Sequence, residues 1–143
     1  MKKILFSAIA ALFLFSACTY YDCPEEHLIS TSYSVDVPAN SWRFNDNSDG
    51  VYFWSAWNMP ALTQEVLDRG VVLAYYWDGS HDNVLPYIRP YMEQDGYQYF
   101  ENIRFDYERG KITFIIEPND FVEPYPITGA MNFKVVILQN IYH

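Results

Sequence analysis

Few residues of this chain are equipped for covalent chemistry, and their spacing is wrong for it. Asp78-Gly79-Ser80-His81-Asp82-Asn83 gathers a hydroxyl, an imidazole and two carboxylates in one short segment. A hydrolytic triad draws its nucleophile, base and orienting acid from separated segments, because adjacent residues cannot all point at one reacting carbon. The segment therefore reads as a solvated loop. Cys23 has no cationic neighbour to lower its thiol pKa, so it reads as an idle thiol and not as a nucleophile. His27, His81 and His143 are far apart in sequence. The chain has no phosphate-cradling glycine loop, no paired-cysteine zinc motif and no nucleophile elbow. The expectation is a protein without enzymatic activity, cofactor or metal.

Asn45-Asp46-Asn47-Ser48-Asp49-Gly50 matches the first half of a calcium loop, with oxygen ligands at alternate positions and a glycine to turn the backbone. The second half fails, since Ala56 stands where the bidentate glutamate is needed. An Asx-rich connecting turn is the better reading. Glu93, Asp95, Glu101, Asp106 and Glu108 lie near expected hairpin turns, where a carboxylate is ordinarily solvated. A glycosidase pair cannot be argued from such spacing.

Aromatic residues are the unusual feature, at 19% of the chain. Short strands need large side chains to fill a core, and a tyrosine can bury its ring while its hydroxyl stays wet. The competing use is a platform on which sugar rings stack. Trp42, Trp57 and Tyr87 flank expected turns and are the candidate ligand-binding residues, with Asn45, Asn58 and Asp82 as candidate polar partners.

The elements that would position them follow a period of two. Candidate strands are Thr31–Val37, Val51–Trp57, Val71–Trp77, Tyr87–Met92, Tyr97–Tyr107, Lys111–Glu117 and Asn132–Gln139. Strands so spaced predict an all-β domain, an antiparallel two-sheet sandwich of immunoglobulin-like kind, because one open sheet would leave an apolar face wet. One short helix is expected over Thr63–Arg69, with Thr63 as its cap and Gly70 in the left-handed position after it. Val71–Trp77 is apolar on both faces and reads as a central strand.

Two hairpins are signalled. Asp95-Gly96 as a two-residue turn would pair Met92 with Tyr99 and Tyr91 with Phe100. Around Arg109-Gly110, pairing Glu108 with Lys111 puts Ile103, Phe105 and Tyr107 on one face with Ile112, Phe114 and Ile116, and leaves Arg104 and Asp106 opposite.

The N-terminus carries targeting information. Lys2 and Lys3 precede an apolar run from Ile4 to Phe15, shorter than the roughly 20 residues of a membrane-spanning helix. Ser16-Ala17-Cys18 then has the small residues before cysteine that a lipobox requires, although Phe15 stands in place of the usual leucine. The expected organisation is a signal peptide over residues 1–17, a tether over 18–29 carrying lipid on Cys18, and a β-sandwich domain over 30–143. Asp22, Glu25 and Glu26 make the tether acidic, which loosely resembles the export signal of some surface-displayed outer-membrane lipoproteins. Removing the signal deletes two of nine basic residues and none of eighteen acidic ones, leaving seven against eighteen, a charge of −11. Such a charge repels nucleic acid and anionic headgroups, so the membrane is expected as a partner only through lipid at Cys18.

A resemblance rests on Leu67-Asp68-Arg69-Gly70-Val71-Val72-Leu73-Ala74-Tyr75-Tyr76, Leu85-Pro86-Tyr87, Gly110-Lys111-Ile112 and Asn132-Phe133-Lys134-Val135-Val136-Ile137. From about Trp42 to Ile141 the chain resembles small Bacteroidetes envelope lipoproteins with a β-rich domain, for which no activity is established. The resemblance implies the compartment and the fold and supplies no site residues. The sequence leaves two duties open: a binding module for a glycan or a protein partner, or a structural envelope component without a ligand.

Overall fold

The computed structural model describes residues 26–47, 50–92, 96–119 and 127–142. The expected signal peptide, Cys18, Cys23, His143 and the acids Glu93 and Asp95 lie outside them. Nine strands appear among these residues: β1 (Glu26–Val37), β2 (Arg43–Asn47), β3 (Gly50–Asn58), β4 (Val71–Trp77), β5 (Asp82–Val84), β6 (Tyr87–Met92), β7 (Gln98–Glu108), β8 (Lys111–Pro118) and β9 (Met131–Tyr142). They form two antiparallel sheets, a four-stranded one ordered β1-β9-β4-β5 and a five-stranded one ordered β2-β3-β8-β7-β6. The described residues form a β-sandwich with one short helix, α1 (Gln64–Arg69).

Alternation explains the layers. Val35 and Val37 on β1, Val72, Ala74 and Tyr76 on β4, and Met131, Phe133, Val135 and Ile137 on β9 are buried. They meet Ile103 on β7 and Ile112, Phe114 and Ile116 on β8. The rings of Phe114 and Phe133 lock the two sheets together. β1 pairs with β9 along its whole length, beginning at Glu26 opposite Tyr142, so the ladder runs through residues 26–29 that the sequence alone assigns to the tether.

Strand β4 does lie inside its sheet, between β9 and the short β5. Only one of its faces meets the core, however. Val71 and Trp77 on the other face are 50% and 41% exposed. Apolar residues on both faces marked a strand interior to the ladder, not one covered on both sides.

The β7–β8 hairpin has the register read from the sequence: Glu108 pairs with Lys111, Tyr107 with Ile112 and Phe105 with Phe114. The β6–β7 hairpin does not. Tyr91 pairs with Tyr99 and Met92 with Gln98. Side chains alternate with a period of two, so a one-residue slip would set the inward Tyr91 against the outward Phe100. The observed register instead stacks Tyr91 on Tyr99, with centroids 5.4 Å apart, and sets Arg89 opposite Glu101.

The helix starts as expected, with the Thr63 hydroxyl accepting from the Val66 amide at 3.2 Å. Its end differs. Gly70 has φ −91° and ψ 178°, extended and not left-handed. Glycine is needed there for space, because a Cβ would sit 2.8 Å from the Val66 carbonyl oxygen and 2.9 Å from that of Leu138. Gly110 does use a left-handed conformation, φ +76°, and its amide donates to the Leu62 carbonyl at 2.8 Å. The turn between β7 and β8 thereby also holds the segment leading into α1.

Candidate functional site

β2 pairs with β3 only from Asn47–Gly50 to Arg43–Trp54. Beyond Trp54 the chain turns away through a single 3-10 turn at Ala39–Ser41, so Ser55–Asn58 lack a strand partner on that side among the described residues. A groove of about 630 Å³ occupies the place a longer β2 would fill. Trp54 and Trp57 border it, together with Asn40, Ser41, Arg43, Ser55, Ala56, Asn58 and Lys111. The two tryptophans are an odd number of residues apart on one strand, so their rings reach the groove from opposite faces of the sheet.

A polar node fixes one wall. Ser55, 2% exposed, accepts from the Trp57 indole N–H at 3.0 Å and lies 3.2 Å from the Ser41 hydroxyl. Ser41 is itself held by its amide and hydroxyl, which donate to the Pro38 carbonyl at 3.0 and 2.8 Å. The Trp57 ring therefore has a set orientation. On the other wall the Arg43 guanidinium carbon lies 5.5 Å from the Trp54 ring centroid, within cation–π range.

The three turn-flanking aromatics are not brought together. Trp42 packs inward on Phe133, with centroids 6.4 Å apart, and its buried indole N–H meets no acceptor among the described residues. Tyr87 leans on Tyr76 at 6.1 Å and rests against the core. Trp57 aligns with Ile112, whereas Tyr87 aligns with Ile103 and Ile116, three strands over and four residues along. From strand spacing and rise that is about 20 Å. Of the three, only Trp57 lines the groove, and Trp54 takes the place that reasoning from turns gave to the others. Of the polar partners, Asn58 lies in the groove. Asn45 instead donates to Asn47 and to the Gly50 carbonyl, clamping the β2–β3 hairpin, and Asp82 pairs with Lys134 on the four-stranded sheet.

A second polar cluster sits between the sheets at one end. Glu101 is not solvated, as its place near a turn led one to expect, but 2% exposed. Its Oε2 accepts from Arg89 Nη2 at 2.6 Å and Nε at 3.2 Å, and Arg89 Nη1 donates to the Tyr76 hydroxyl at 3.2 Å. Burial alone would lower the Arg89 pKa, but the hydrogen bond and charge of Glu101 outweigh it and hold it above the ordinary value. Burial pushes the Tyr91 phenol up as well, with Arg89 opposing. The adjoining cavity is about 200 Å³. Because the two charges satisfy each other, this cluster is built to hold the sheets together and offers a ligand no unmatched charge.

The Asp78–Asn83 loop forms an Asx turn. Asp78 accepts from the Ser80 and His81 amides at 2.8 and 2.7 Å, from the Ser80 hydroxyl at 2.9 Å and from Asn83 at 3.0 Å. These bonds, led by that from Asn83, hold its carboxyl far below the usual aspartate range. Ser80 Oγ lies 2.8 Å from His81 Nδ1, yet the carboxylate binds the serine and the His81 amide instead of orienting the ring. Its side chain is 79% exposed, and the arrangement serves the turn. Among the described residues no three His, Cys, Asp or Glu side chains gather as a metal site. Comparison with family models, curated proteins and solved structures returns no match to this chain.

Proposed function

We propose that this chain is a lipid-anchored, non-enzymatic envelope protein whose β-sandwich is a binding module for a glycan. The observation that carries the reading is the groove beside Ser55–Asn58 of β3, where β2 no longer pairs. It combines two indole rings with amide and hydroxyl groups from Asn40, Ser41 and Asn58. A sugar offers apolar C–H faces and a rim of hydroxyls, so its receptor needs flat aromatic surface beside neutral polar groups. The volume falls in the range of roughly 300–1,000 Å³ common to small-ligand sites.

Anchoring belongs to the same proposal. The apolar run and Ser16-Ala17-Cys18 support lipid on Cys18 and an outer-membrane location, with the acidic residues after it supporting display at the cell surface. A structural duty with no ligand would leave the groove without use.

The test is a glycan array probed with wild type, Trp54→Ala and Trp57→Ala, with melting temperatures measured alongside. Wild type binds a subset of glycans, and Trp54→Ala, which removes an outward-facing ring, loses that binding while keeping its melting temperature. Wild type that binds no glycan, or a Trp54→Ala protein that binds like wild type, sinks the reading.

A further inference from the structure

We infer that the groove takes an anionic sugar, one bearing a carboxylate or sulfate beside a pyranose face; this rests on the glycan reading above and narrows it. The chain holds eighteen acidic residues against nine lysines and arginines. Yet the groove is lined by two cations, Arg43 and Lys111, and, among the described residues, by no carboxylate. Across the chain acids outnumber lysines and arginines two to one, so a lining whose described residues include two cations and no acid is a local positive site on an anionic body.

The two cations differ in what they can give. Lys111 is ion-paired with Glu108, so much of its charge is already answered. Arg43 has no salt bridge among the described residues, and its guanidinium lies over the Trp54 ring. Resting on an aromatic face leaves the edge of the fork open, and that edge matches a carboxylate or sulfate with two parallel N–H···O bonds. An anion held there puts the rest of its sugar ring against Trp54, with Asn40 and Ser41 within the same groove for the hydroxyls.

Phosphate polymers share the anion but not the scale of the site. A nucleic acid must neutralise many phosphates, and the net charge of −9 repels a long polyanion where a single arginine attracts one group.

The experiment uses the full chain in detergent and paired oligosaccharides: uronate-bearing members beside their carboxyl-reduced forms, and sulfated members beside desulfated forms. A single-stranded oligonucleotide is a further arm. The acidic member of at least one pair binds tenfold or more tighter than its neutral counterpart, roughly the worth of one charge-assisted hydrogen-bond pair. Arg43→Gln removes that preference at an unchanged melting temperature, and Arg43→Lys keeps the charge and restores part of it. Which pairs respond distinguishes carboxylate from sulfate. Equal affinity within every pair, or a preference that survives Arg43→Gln, overturns the anionic inference and leaves the glycan reading standing. Tighter binding of the oligonucleotide than of any sugar overturns it too. Binding of no sugar, acidic or neutral, removes both.

Discussion

Phe114 of the five-stranded sheet and Phe133 of the four-stranded sheet stack with ring centroids 3.9 Å apart and planes 14° from parallel. Both rings are buried, at 0% and 2% exposure, and Phe133 also touches Trp42 and Tyr76. The pair is the centre of the contact between the layers. Phe114→Ala removes one half of it and leaves a void that neighbouring strands cannot close. We expect a loss of about 3–5 kcal/mol in unfolding free energy by urea denaturation, and about as much for Phe133→Ala. A loss under 1 kcal/mol at both positions would mean that the sheets do not meet there.

Glu101 and Arg89 make a different kind of contact. Removing one charge strands the other, so Glu101→Gln lowers stability by about 3 kcal/mol, toward the low side for a buried pair because Arg89 is 24% exposed. Replacing both, as Arg89→Met with Glu101→Leu, recovers most of that loss. A double variant as weak as the single one would show that the pair is worth more than its desolvation.

The Asp78 turn depends on pH with a definite sign. A carboxyl held below its usual range stabilises the fold above the unfolded-state pKa of about 4, and that contribution disappears as pH falls through the depressed value. In an NMR titration the Asp78 carboxyl therefore titrates below the usual aspartate range. The Ser80 and His81 amides stay protected from exchange at pH 4 and lose protection in Asp78→Ala. An Asp78 carboxyl titrating at the ordinary aspartate value would contradict the turn.

Lipid anchoring is tested separately from the fold. Wild type incorporates labelled fatty acid and fractionates with membranes, and Cys18→Ser does neither. A Cys18→Ser protein still in the membrane fraction, beside a wild type that takes up no label, would refute the anchor.

Legibility in the sequence followed the strength of alternation. Arg104 and Asp106 against Phe105 and Tyr107 leave one workable register, and Gly110 marks its turn, so the β7–β8 hairpin could be read residue by residue. Along Tyr87–Met92 and the stretch of β7 that faces it, Gln98 to Ile103, polar and apolar residues do not alternate, so the pattern alone chooses no register. The choice falls to the Arg89–Glu101 pair, which is set only once the sheets meet. Glu101 reads as solvated from its place near a turn, and only its pairing opposite Arg89 shows why it is buried. β2 went unseen because Arg43-Phe44-Asn45-Asp46-Asn47 has a turn's composition and is a strand only by pairing with β3. The groove exists because β2 stops at Arg43, so its position was not written in local sequence. The paired spacing of Trp54 and Trp57 was visible, but nothing local showed that the edge beside them stays open.

The central claim is that ligand enters the groove between Trp54 and Trp57, and the four tryptophans provide its most direct measurement. Each indole N–H gives its own NMR resonance, and the four sit in different places: Trp54 and Trp57 in the groove, Trp42 against Phe133, and Trp77 on the outer face of the four-stranded sheet. Titration with the tightest-binding oligosaccharide from the array shifts the Trp54 and Trp57 resonances together, saturating at one concentration, and leaves Trp42 and Trp77 in place. Shifts confined to Trp77, or equal small shifts at all four, would contradict the account.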